Sequence, residues 1–518
     1  MHIGHCGKLR VCPSLRVDHL ANRGADDHPA LTYRLETITY AALRRRVARV
    51  ADGLRRRGVC RGDRVLIYAE KRIETVVAML AVAATGGVMV PVNPQFKERQ
   101  LAHVVADCTP RVLITVAERL SIALVACGDR VEQIVMLDSI TADALPGGDD
   151  TATARADSAT IETDPGAIFY TSGSTGSPKG VVVSHRNLIA GAESVAGYLA
   201  HRADDVILSA LPLSFDAGFS QITTTFAVGA HLVLATYLRP GQVAQLCGRH
   251  RVTGLTCVPP MWRELTAVAW PTEAVANLRY FASTGGAMPR PTLDALRRQF
   301  PRAKPFLMYG LTEAFRSTYL EPAEVDRRPG SIGKAIPNAE VRILRPDGTE
   351  CEPGEHGELV HRGATVALGY WNSPESTARR FRPVPPRSPG LTGDVAVWSG
   401  DTAYRDEDGF LYLVGRTDEM IKTSGYRVSP TEVESAALDT GLATEAVAFG
   451  VEDEKLGQRI VLVVTSPCDT ERLTEALGEL LPSYQIPGTT VAVSELPRSP
   501  NGKYDRAALR RTIIGGRE

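Results

Sequence analysis

Between Tyr170 and Gly180 the chain reads Y-T-S-G-S-T-G-S-P-K-G, with three glycines, five Ser/Thr hydroxyls and one lysine in eleven residues. The apolar run Ala167-Ile168-Phe169 leads into it. A strand that empties into such a loop is built to hold phosphate. Glycines let backbone N–H groups converge on one anion, hydroxyls donate further hydrogen bonds, and lysine adds a positive charge. The loop is not of the G-x-x-x-x-G-K-[ST] type, because Lys179 is followed by Gly180. A Gly/Ser linker would rarely carry Pro-Lys-Gly or follow a buried strand.

Further short motifs follow downstream: Gly285-Gly286-Ala287, Tyr309-Gly310-Leu311-Thr312-Glu313, Ser399-Gly400-Asp401-Thr402, Gly415-Arg416-Thr417-Asp418, Lys422 to Val428, and Pro500-Asn501-Gly502-Lys503. Each alone is weak. In this order, in a chain of this length, they resemble the AMP-forming adenylating superfamily of acyl-CoA synthetases, non-ribosomal peptide synthetase adenylation domains and luciferases. The resemblance runs from about Tyr33 to Arg506.

The resemblance implies a two-step reaction. A carboxylate attacks the α-phosphorus of ATP, pyrophosphate leaves, and a thiol then displaces AMP from the acyl-adenylate. Anions are brought together in both steps, so catalysis is mostly positioning and charge neutralisation. By the same resemblance Thr171, Ser172, Gly173, Ser174, Thr175, Gly176 and Lys179 hold the β- and γ-phosphates. Gly285, Gly286 and Ala287 line the adenine, and Tyr309, beside Gly310, stacks on it. Thr312 bonds the α-phosphate and Glu313 holds Mg²⁺, for which hard oxygen ligands are suited. Asp401 accepts the ribose hydroxyls, since an ionised carboxylate can accept two hydrogen bonds. Arg416 lies near the ribose and phosphate. Arg427 and Lys503 come from a small C-terminal unit, and Lys503 bridges carboxylate and α-phosphate. That unit is implied to turn about Asp418 between the half-reactions, presenting Gly425 to a pantetheine arm in the second.

The acyl group is addressed by Leu211-Pro-Leu-Ser-Phe-Asp-Ala-Gly-Phe219. Phe215-Asp216 looks like the amino-acid-activating branch, where the aspartate pairs with the substrate ammonium. Asp216 could equally cap a helix starting at Ala217. Other positions matching the family's pocket are Ser220, Cys257, Ala282, Thr284, Met308, Arg316 and Ser317. Arg316 could take a second substrate carboxylate through a bidentate fork, or point outward to Glu321. The S-F-D segment, A-G-F-S-Q and the tract around G-Y-R-V-S-P-T-E-V-E also look like stand-alone ligases of exosortase-type polysaccharide clusters, described as acyl-CoA ligases. Stand-alone prolyl-carrier-protein ligases look similar around S-F-D.

Two enzymatic readings follow. In the first, an amino acid or β-amino acid is activated and loaded onto the phosphopantetheine thiol of a separate carrier protein. In the second, a fatty or other non-amino acid is ligated to CoA. A non-catalytic nucleotide-binding relative is the third reading, against which Lys503, Glu313 and Asp401 stand. Only 15 residues follow Lys503, with no carrier-like G-G-x-S among them, so the thiol is expected from CoA or a separate protein.

The elements that must position these residues are of α/β type. Short β-rich runs (Arg64–Tyr68, Arg111–Thr115, Ile134–Leu137, Val206–Ser209, Leu232–Leu234) alternate with helical segments such as Tyr40–Arg57, whose Leu43, Val47, Val50 and Leu54 share one face. Its Arg44-Arg45-Arg46 and Arg55-Arg56-Arg57 clusters read as a solvated face. Thr75–Val92 is uncharged for 18 residues, but Gly86-Gly87 and Pro91 split it into a buried helix and a buried strand. A length prior of about 150 residues per domain suggests roughly three units. The expected plan is a large N-terminal adenylation domain over residues 1–416, with layered α/β subdomains and a β-rich part from about 326. A smaller, mobile α+β domain spans 417–518, with its hinge near Asp418. Pro383–Gly390 reads as a surface loop.

Lys+Arg and Asp+Glu both number 59, which gives no nucleic-acid or membrane footprint. Nine cysteines without a CxxC pair fit a reducing cytoplasm and neither zinc nor a disulfide framework.

Overall fold

A computed structural model describes residues 16–142, 160–171, 178–236, 239–386, 393–416, 419–423, 426–453, 456–481, 483–499 and 502–515. The fold is mixed α/β, with a large N-terminal domain of two sheets and a small C-terminal domain with its own sheet.

Helix Tyr40–Arg56 begins where the Thr39 hydroxyl accepts from the Ala42 N–H, and it buries the expected Leu43, Val47, Val50 and Leu54. Its arginines do more than meet solvent. Arg44 donates to the Ala21 and Gly24 carbonyls at 2.8 and 3.1 Å, and Arg55 to the Ala84 carbonyl at 2.7 Å. The uncharged stretch splits as expected into helix Ile73–Thr85 and strand Val88–Pro91. Gly86 closes that helix at φ +79, and a Cβ there would lie 2.5 Å from Thr160 Oγ1, so glycine is needed. No helix among the described residues is long and apolar enough to cross a membrane.

The first sheet places Arg64–Tyr68 between Val88–Pro91 and Val112–Thr115, parallel to both. It continues beyond Val88–Pro91 into the antiparallel hairpin Pro165–Thr171/Lys179–Ser184. The second sheet has a parallel centre made of His231–Leu234, Val206–Ser209, Gly254–Cys257, Tyr280–Ser283 and Lys304–Tyr309. One apolar core joins both sheets through helices Ile73–Thr85, His185–Tyr198 and Asp216–Ala227. Sites for small ligands gather at the carboxyl ends of such parallel strands.

The β-rich part after residue 326 is not a detached sheet. Ser331–Ala335 pairs with Thr318–Leu320 on one side and with Leu411–Arg416 on the other, so it extends the second sheet by antiparallel pairing. The Pro383–Gly390 tract begins as the end of a short strand, Phe381–Pro383, and is described only to Pro386.

After Arg416, strands Ile421–Thr423, Tyr426–Val428, Ala446–Asp453, Gly457–Thr465 and Thr489–Val493 form the C-terminal sheet. Helices Pro430–Asp439 and Thr470–Leu480 cover it over a separate core. Asp418 and Gly425, the expected hinge and thiol-tunnel residues, lie outside the described residues.

Candidate active site

Thr171 ends one strand of the hairpin and pairs directly with Lys179, the first residue of the next. The hairpin therefore closes the phosphate loop at its root; Ser172, Gly173, Ser174, Thr175 and Gly176 lie outside the described residues. The Lys179 ammonium sits 5.6 Å from the Tyr370 ring centroid. The Tyr370 hydroxyl donates to Glu313 Oε1 at 2.5 Å. Burial first, then the Glu313 charge, push the Tyr370 phenol up, which keeps it the donor. This chain of contacts joins the loop's root to the acid expected to hold Mg²⁺. No cluster of three metal-type ligands occurs among the described residues. A half-buried, single carboxylate still fits Mg²⁺, which keeps waters and phosphate oxygens as most of its ligands.

The residues expected on the adenosine side stand on the second sheet. The Tyr309 hydroxyl donates to Asp401 Oδ2. Asp401 Oδ1 lies 3.4 Å from Arg416, its partner across the antiparallel ladder. Burial, then Asp401, hold the Tyr309 phenol well above its ordinary range. Gly400, at φ +66, turns the chain just before the 6%-exposed Asp401. A side chain at Gly310 would place its Cβ 2.6 Å from the Phe315 carbonyl. Phe315 itself adopts φ +62, with its ring against Gly191, and this turn brings Arg316 inward beneath the motif.

Lys503 arrives from the small domain on a loop closed by the Ser499 N–H, which donates to the Lys503 carbonyl at 2.7 Å. Its ammonium lies 5.8 Å from the Phe215 ring centroid. A Cβ on Gly285, itself at φ +83, would stand 3.3 Å from Lys503 Cε. The structure therefore brings Lys503 against Gly285, the first residue of the Gly285-Gly286-Ala287 segment. Lys503 is exposed, yet desolvation by the surrounding protein is the largest influence and lowers its pKa. Asp216 and Asp401 act the other way, and Arg316 and Arg416 add to the lowering. Arg427 is paired with Lys422 in the C-terminal sheet, and its side chain lies outside the described set.

Asp216 is the first residue of helix Asp216–Ala227, and Phe215 occupies the cap position. Its carboxylate meets Arg316 Nη1 at 3.2 Å and the Thr312 hydroxyl at 3.4 Å. Both charged side chains are buried, 4% exposed for Arg316 and 7% for Asp216. Arg316 does not point outward to Glu321, which instead accepts from Tyr319 at 3.4 Å. Arg316 Nε and Gln221 Oε1 have no hydrogen-bond partner among the described residues, and both residues line one cavity of about 10 Å³, together with Ser220 and Met308. The space has room for about one water molecule.

Two of the expected pocket residues, Cys257 and Ser317, do not line that cavity. Cys257 packs with Trp262 and Phe281 in an apolar cluster, while the preceding Thr256 lines the cavity. Side chains alternate along a strand, so neighbours serve opposite faces. Ser317 is turned onto His361, at 3.0 Å from Nδ1, whose Nε2 reaches Thr365 at 2.9 Å. Ala282 is part of the core, and Thr284 is buried, with its N–H donating to the Cys257 carbonyl at 3.2 Å.

Sequence reasoning missed Tyr370, Gln221, Thr256 and Lys71. The Lys71 ammonium is buried and donates to the Ser209 and Leu211 carbonyls at 2.7 and 2.6 Å. It pins the strand end from which the Asp216 segment departs. Burial pushes it down to about 7. The signal available was a charged tripeptide, Glu70-Lys71-Arg72, directly after a buried strand.

Residues 17–371 match the AMP-binding enzyme family and residues 432–503 the AMP-binding enzyme C-terminal domain. The chain is 32% identical over 486 residues to feruloyl-CoA synthase of Amycolatopsis sp, covering 92% of this chain and 94% of that protein. It is 30% identical over 485 residues to tyrocidine synthase 3 of Brevibacillus parabrevis, covering 92% of this chain but 7% of that much longer protein. ATP-bound MatB from Rhodopseudomonas palustris superposes with a TM-score of 0.85 at 27% identity, over 98% of this chain and all of that one.

Proposed function

We propose, from the premise that the chain belongs to the AMP-binding enzyme family, that it activates a polar, amino-bearing carboxylic acid and passes it to a pantetheine thiol. The protein is an adenylate-forming acid–thiol ligase. The carboxylate oxygen bonds to the α-phosphorus of ATP as pyrophosphate leaves; the thiol sulfur then bonds to the acyl carbon as AMP leaves. In this reading Lys503 neutralises charge between carboxylate and α-phosphate, Asp401 orients the ribose, and Glu313 would hold Mg²⁺, which would supply further charge neutralisation.

The observation that carries the substrate class is the buried Asp216–Arg316 pair. Buried ion pairs add little net stability, so stability does not explain one placed beside an acyl pocket. A site for an ammonium and a second acidic group must carry an anion and a cation, and these meet each other when no substrate separates them. Arg316 reaches Asp216 through one nitrogen, which leaves Nε for another acceptor. The polar lining of Ser220, Gln221 and Thr256 supports the same reading.

A second reading, ligation of a non-amino acid to CoA, is favoured by the near full-length match to feruloyl-CoA synthase. The deciding experiment is ATP–pyrophosphate exchange over α-amino, β-amino, dicarboxylic, aromatic and fatty acids. Thioester formation is then measured with CoA and with a phosphopantetheinylated carrier protein. Amino acids with an acidic side chain are expected to exchange fastest, and Asp216→Asn to slow them about tenfold or more. Fastest exchange with fatty or aromatic acids, undiminished by Asp216→Asn, would establish the second reading instead.

A further inference from the structure

We propose that Arg263 of the large domain is a positioning residue for Lys503, acting across the domain boundary through Glu445 and Tyr504. The inference rests on the reading of Lys503 as the lysine of adenylate formation.

Glu445 stands just before strand Ala446–Asp453 in the small domain, and its side chain is 7% exposed. One carboxylate oxygen, Oε1, gathers three groups. Arg498 Nη2 donates to it at 2.7 Å and the Tyr504 hydroxyl at 3.1 Å. Arg263 Nη2 lies 2.6 Å away, from helix Pro259–Thr266 of the large domain. Tyr504 follows Lys503 directly in the chain. Arg498 forms a backbone bridge with Tyr504 and lies 5.4 Å from its ring centroid. Arg498 also approaches Glu264, on the same large-domain helix, at 3.7 Å. Both ends of the segment that carries Lys503 are therefore held at one buried carboxylate, and the large domain grips that carboxylate.

The helix bearing Arg263 also belongs to the wall that Lys503 faces. Val258, immediately before it, would lie 3.3 Å from a Cβ on Gly285 and 3.4 Å from one on Gly502. A shift of this helix against Glu445 thus moves the lysine relative to the Gly285 segment.

The charge arrangement separates positioning from stability. A buried carboxylate needs a cation and donors. Arg498 and Tyr504 supply them from within the small domain, so that domain keeps Glu445 satisfied without Arg263. What Arg263 adds exists only while the two domains meet with Lys503 in the cleft. Removing it weakens that arrangement without leaving a buried charge unpaired in the small domain.

The test compares Arg263→Ala, Arg263→Lys and Lys503→Ala in two half-reactions, with the acid of fastest exchange in the panel above. One is ATP–pyrophosphate exchange, and the other is thioester formation from supplied acyl-adenylate. Arg263→Ala is expected to slow exchange at saturating ATP and acid by about tenfold, as loss of one interfacial charge pair would. KM should move by less than about twofold, since no substrate contact is lost. Arg263→Lys should recover part of the rate, and thioester formation should keep its rate, which also reports a folded protein. Exchange unchanged in Arg263→Ala but abolished in Lys503→Ala overturns the clamp alone, as does equal loss of both half-reactions in Arg263→Ala. Exchange untouched by Lys503→Ala overturns the reading of Lys503 and the clamp with it.

Discussion

Lys503 is a single ammonium set among Asp216, Asp401, Arg316 and Arg416. Its neighbourhood sums to little net charge, so its effect on a phosphate depends on where it points rather than on bulk attraction. Lys503→Ala is expected to lower pyrophosphate exchange about 100-fold, the scale of losing one preorganised charge partner, while thioester formation from supplied adenylate falls by no more than about threefold. Equal losses in the two assays would refute its assignment to the first step. At this scale the ordered motifs were legible, and Tyr309, Asp401 and Arg416, taken from three separate motifs, meet one another in space. Correspondence by position does not say which face a side chain takes: Cys257 lies in an apolar cluster while Ser317 turns to His361.

Helices and strands were legible where hydrophobic periodicity is strong. Tyr40–Arg56 and the split of Thr75–Val92 follow from their apolar positions and from Gly86. The continuity of the β-rich tract with the second sheet was not legible, because strand pairing across Thr318–Leu320 is a non-local choice. The Lys71 contact is of the same kind. It ties the end of the Arg64–Tyr68 strand in one sheet to the Ser209 and Leu211 carbonyls in the other. Lys71→Met keeps the volume and removes the donor to the Leu211 carbonyl, while the Ser209 carbonyl still accepts from the Ala235 N–H at 3.1 Å, at a cost of about 1–3 kcal/mol. The expected result is a thermal midpoint several degrees lower, with a raised KM for the acid because the Asp216 segment loosens. An unchanged midpoint would show that this tether contributes nothing.

At the scale of the whole molecule, burial leaves a titration signature. His185 and His361 are fully buried, and desolvation lowers each to about 4. Between about pH 6.5 and 4 the unfolded chain therefore binds protons that the folded chain does not. Stability from these two residues is present above pH 6.5 and is lost as pH falls through that window, by up to about 3 kcal/mol for each. Denaturation midpoints measured from pH 7 to 4.5 should fall steadily, and the fall should be shallower in His361→Asn. A midpoint that rises on acidification would contradict the burial of both rings.

By itself the sequence determined the chemistry on offer. Short motifs such as Gly285-Gly286-Ala287 and Tyr309 to Glu313 are local backbone and side-chain requirements, and local requirements are written in consecutive residues. Tertiary structure alone decided the partners. Asp216 meets an arginine 100 residues away, Lys503 crosses from another domain to reach Gly285, and Arg263 closes on Glu445. Each of these contacts depends on how sheets pair and domains dock, which is fixed by the summed burial of distant surfaces rather than by any one stretch of chain.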